Sequence, residues 1–77
     1  MAVNLRDTLI EALKSNAKGQ LKKHQANVEI YFNNPVGIGD HADVLQSMHD
    51  EIDAMVYWED QIKALDKYFI NTPFVVT

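Results

Sequence analysis

The chain has 77 residues, 23% of them charged, a net charge of −4 and no cysteine. That length allows one domain, at the lower edge of what holds together alone, and the missing cysteines exclude disulfide staples and thiolate metal sites. No apolar run approaches a membrane span, and Asp7 and Glu11 interrupt the first apolar stretch, so no signal-peptide pattern is present. The expectation is a soluble, cytoplasmic, mildly acidic protein.

Residues 4–33 read as a first amphipathic helix. Asn4 is placed to cap it, and Asp7 and Glu11 suit the positive end of its dipole. Projected around Leu21 at about 100° per residue, Ile10, Leu13, Ala17, His24, Val28, Tyr31 and Phe32 fall on one narrow stripe. Asn16, Lys22, Lys23, Asn27 and Glu29 occupy the opposite side. Gly19 lies off the stripe and weakens the helix by roughly 1 kcal/mol relative to Ala.

A hinge follows, Asn33-Asn34-Pro35-Val36-Gly37-Ile38-Gly39-Asp40. Pro35 cannot continue a helix, and it pushes Asn34 toward extended geometry. Gly37 and Gly39 free the backbone for a tight reversal, so the flanking helices should lie antiparallel.

The second helix is expected from Ala42 to Phe69 or Ile70, with Asp40 as cap and Asp43 at the third helical position. Leu45, Met48, Ile52, Met55, Ile62 and Phe69 follow 3–4 spacing, and Val44, Val56, Trp58 and Leu65 widen the stripe to about half the cylinder. One antiparallel neighbour cannot cover that much surface. Met48, Ile52, Met55, Val56, Ile62 and Phe69 are therefore the expected interface with a second copy. In the tail, residues 71–77, Pro73 stops any helix and Phe74-Val75-Val76 is an apolar run that would gain from docking on a neighbouring helix.

The stretch from Asn27 through the Asn33-Asn34-Pro35-Val36-Gly37-Ile38-Gly39 core to His41, followed by an acidic helix ending Ala64-Leu65-Asp66-Lys67-Tyr68-Phe69, resembles small proteins of T-even-like marine tailed phages, especially those infecting cyanobacteria. The likeness runs from about Ala17 to Phe69. It implies a phage origin and a place in the host cytoplasm. It carries over no active-site residue.

Candidate chemistry is thin. His41 and His49 stand eight residues apart, too far for one metal; His49 and Asp53 supply two ligands at most, and Gln46 stands where a di-iron carboxylate pair would need an acid. Solvated or hydrogen-bonded helix histidines explain all three, His24 included. All-helical nucleotide pyrophosphohydrolases resemble the chain in size and acidity, but their magnesium site takes paired Glu-x-x-Glu and Glu-x-x-Asp motifs. Here the nearest pairing is Asp50 with Asp53, and Asp7, Glu11 and Glu29 on the first helix offer none. Lys14, Lys18 and Lys22 form a basic row, yet the negative net charge and the lack of interleaved aromatics oppose direct nucleic-acid binding. Gly37-Ile38-Gly39 lacks the strand and the third glycine of a phosphate loop.

In an antiparallel hairpin turning near residues 37 and 38, facing positions should sum to about 75. Trp58 then faces Ala17 with Gly19 nearby, and His24 faces Glu51. Glu59 and Asp66 interrupt the broad face and need cationic partners if buried. The sequence thus predicts an all-α antiparallel two-helix hairpin, assembled as a dimeric four-helix bundle. It predicts no catalytic residue, metal or cofactor, and no membrane or direct nucleic-acid partner. The expected function is a non-catalytic interaction or small assembly protein with a host or phage partner. The alternatives are a small metal-dependent nucleotide hydrolase and a transcription-modifying protein that binds a polymerase subunit.

Overall fold

The computed structural model describes residues 5–33 and 43–69. They form two α-helices and, among the described residues, no strand: α1, Leu5–Asn33, and α2, Val44–Tyr68. The helices pack along each other as an antiparallel hairpin. The expected cap Asn4, the hinge at 34–40 with Asp40, His41 and the tail at 70–77 lie outside the described residues.

α2 begins at Val44, two residues later than expected, because Asp43 is the cap and not the third helical residue. Its carboxylate accepts from the Gln46 backbone N–H at 2.8 Å, which satisfies one of the donors that a helix start leaves open. The Gln46 side chain does not return the bond; it donates to Asp50 at 2.9 Å. At the other end the Phe69 N–H donates to the Leu65 carbonyl, and Lys67 stands in the last turn, where the dipole favours a cation.

The inward sides of both helices repeat at 4–3 spacing. On α1, Ile10, Lys14, Ala17, Leu21, His24, Val28 and Tyr31 are buried or half-buried; on α2, Val44, Met48, Glu51, Met55, Trp58, Ile62 and Leu65 are half-buried. That is a heptad seam, the pattern that keeps two helices in contact along their length. Its register follows the expected sum of 75, both where His24 meets Glu51 and where Arg6 meets Phe69. Counting one heptad from the first pair sets Ala17 opposite Trp58. Ala17 is 1% exposed, and Trp58 is half-buried with its ring edge-on to Tyr57.

Three details of the expected stripe change. Leu13 and Phe32 are more than half exposed, and Lys14 takes the seam position beside Leu13. Its aliphatic stem lies along the seam while its amine reaches Asp66 at 2.7 Å, as long cationic side chains do at an apolar edge. Asn27, assigned to the polar side, is half-buried and bonds across the seam. Gly19 faces open space, and a Cβ there would meet nothing within 4 Å.

Candidate functional site

Three features of the hairpin have enough geometry to be read chemically. They are a polar cluster in mid-seam, an apolar groove at the open end, and the apolar surface that neither helix covers.

The polar cluster is built on Glu51. His24 Nδ1 lies 3.1 and 3.3 Å from its two carboxylate oxygens, and Asn27 Nδ2 donates to them at 2.6 and 3.3 Å. His24 and Asn27 sit one turn apart on α1, so both point at the same place on α2. Burial raises the Glu51 carboxyl's affinity for a proton. The hydrogen bonds from His24 and Asn27, with the charges of His24 and Lys23, outweigh it and hold the group below its ordinary value of 4.5. A carboxylate held ionised and occupied at both oxygens is a poor general acid or base at neutral pH. A shallow hollow of about 350 Å³ adjoins it, lined among the described residues by Asn27, Ile30, Tyr31 and Glu51. The cluster bridges the two helices in mid-seam.

No family model, curated protein or solved structure matches this chain.

Among the described residues no three His, Asp or Glu side chains come together as a metal site. His49 and Asp53 are both exposed, and so are Asp50, Asp7, Glu11 and Glu29. Of the basic row, Lys14 pairs with Asp66, while Lys18, Lys22 and the neighbouring Lys23 are exposed. Glu59 lies 3.8 Å from Lys63 one turn on, an exposed pair of little energetic weight. Among the described residues no helix is long and apolar enough to cross a membrane.

The six residues expected at an interface divide. Met48, Met55 and Ile62 are half-buried on the stripe that α2 turns to α1, while Ile52, Val56 and Phe69 are exposed. The open-end groove went unforeseen. It holds about 500 Å³ and is lined by Leu5, Leu9, Ile10 and Leu13 of α1, Leu65 of α2 and Phe69 just past its end, with Arg6 at its rim. The Arg6 Nη2 donates to the Phe69 carbonyl at 2.9 Å and ties the two ends of the hairpin together. A row of leucines at i, i+4 and i+8 is the signal that marks this groove in the sequence.

Proposed function

We propose that this chain is a non-catalytic interaction protein that pairs with a second copy of itself as a four-helix bundle and presents an acidic outer surface to a partner protein. One observation carries the reading. Only Ala17 and Val28 are buried among the described residues, against eleven large apolar or aromatic side chains that stand exposed. A helix pair has a single seam and cannot enclose a core, which normally takes at least two packed layers. A second hairpin laid on Ile52, Val56 and Leu45 supplies the missing layer. The net charge of −4 then favours basic partners and disfavours nucleic acid.

The resemblance of the hinge to marine tailed-phage proteins supports a phage origin and a role as adaptor or small assembly component in the host cytoplasm. A nucleotide hydrolase is disfavoured because the acids of the two described helices do not converge. Affinity capture from phage-infected cells with the wild type and the Ile52→Asp/Val56→Asp double variant tests the reading. A phage or host protein retained by the wild type alone agrees with it. Nucleotide hydrolysis by the purified chain contradicts it.

A further inference from the structure

We propose that the second copy seats with its hinge at the same end, so that α1 of each chain lies on α2 of the other. This arrangement deepens the self-association proposed above and rests on it.

Beside the seam each helix carries a second row at 4–3 spacing, one residue further along than the first. On α2 it runs Leu45, His49, Ile52, Val56, Glu59 and Lys63; on α1 it runs Lys18, Lys22, Gln25, Glu29 and Phe32, and every one of them is exposed. One residue is about 100° of turn, close to the right angle between the two neighbours of any helix in a four-helix bundle. Because the helices are antiparallel, both rows fall on the same side of the hairpin. On the other side Gln20, Asn27, Ser47 and Ala54, one residue before the seam, are half-buried. Lys18 to Glu29 and His49 to Lys63 stand well inside the described helices.

A two-fold axis along the bundle leaves every residue at its own height, so the levels across the dimer are those of the seam, where His24 meets Glu51. Lys18 comes level with the partner's Glu59, Glu29 with the partner's His49, and Phe32 with the partner's Leu45. Between them the stems of Lys22 and Gln25 lie on the partner's Val56 and Ile52, as long polar side chains do at an apolar surface. Charges pair and apolar side chains meet. At the open end two acids, Glu11 and Asp66, come level, and Lys14 holds Asp66 at 2.7 Å within each chain. The other two-fold runs across the bundle and sets the hinges at opposite ends. With the helices fully overlapped it stacks Lys18 on the partner's Lys22, His49 on the partner's Lys63 and Ile52 on the partner's Glu59. Like charges in contact, and an acid set against an apolar side chain, oppose that arrangement.

Charge reversal in the full chain, read by sedimentation equilibrium, tests the arrangement. Lys18 and Glu59 are both exposed, so Lys18→Glu and Glu59→Lys should keep the helicity of the wild type by circular dichroism. Each should raise the dimer dissociation constant about tenfold, because every dimer holds the pair twice. Mixed in equal amounts, the two variants should recover the wild-type affinity, since each supplies the charge the other lacks. A contact confined to one chain cannot be restored by mixing. If the wild type dimerises but the variants bind as tightly as it does, or stay weak when mixed, this arrangement fails and self-association stands. Tighter association of Lys18→Glu alone would point to hinges at opposite ends and overturn it as well. A monomeric wild type overturns both.

Discussion

Both oxygens of Glu51 are engaged by α1, a polar contact that agrees with the register of the apolar seam. Its folded-state affinity for protons is lowered from the ordinary value of 4.5, so the unfolded chain binds the proton more readily. The stabilisation is complete above about that value and is lost as pH falls through the folded one. Glu51→Gln should flatten that part of the stability–pH curve, and His24→Gln should shrink it by removing a hydrogen bond and a charge. Chemical denaturation between pH 3 and 6 reads both; an acid limb identical to wild type in Glu51→Gln would contradict the assignment. Ala17, at 1% exposure, is the least exposed of the described residues and falls opposite Trp58 in the register. Ala17→Leu should cost about 1–3 kcal/mol by overpacking, while Asn16→Leu next to it, at an exposed site, should be nearly neutral in thermal melts. Gly19→Ala, with open space around its new Cβ, should gain about 1 kcal/mol.

At the scale of the helices, much was legible in the sequence, and the departures have one physical source. The reversal, the antiparallel pairing and the His24–Glu51 register all follow from apolar spacing and hinge position. Projection at 3.6 residues per turn, however, selects whichever apolar residue lies nearest the stripe, and so favours Leu13. The structure keeps an unbroken 3.5-residue repeat and places Lys14 there, since a long cation buries its stem and finds Asp66. Asn27 escaped notice for a related reason: polar residues beside a seam are invisible to hydrophobicity and emerge only when an acid across it needs donors. The start of α2 offered two aspartates three residues apart. Asp43 is the one whose carboxylate meets Gln46 N–H. Asp43→Ala should therefore lower stability by roughly 0.5–2 kcal/mol and shorten the protected stretch of α2 in hydrogen exchange; full protection of Gln46 and Ser47 would contradict it.

The whole molecule poses the question of what covers the rest of α2. Leu45 is 71% exposed, Val56 50% and Ile52 40%, at positions one helix cannot reach from the other side of the seam. At roughly 25 cal/mol per Å² the burial of such a face adds stability that the single seam does not supply. The surface that should assemble is spelled only by ordinary apolar residues, which look the same whether they face a core or a partner. Sedimentation equilibrium at micromolar concentration tests the assembly most directly. The wild type should sediment at twice its 8.8 kDa chain mass, and Ile52→Asp/Val56→Asp should shift it toward the single chain. A fully helical, cooperatively melting wild type that stays at the mass of one chain across that range would contradict the account.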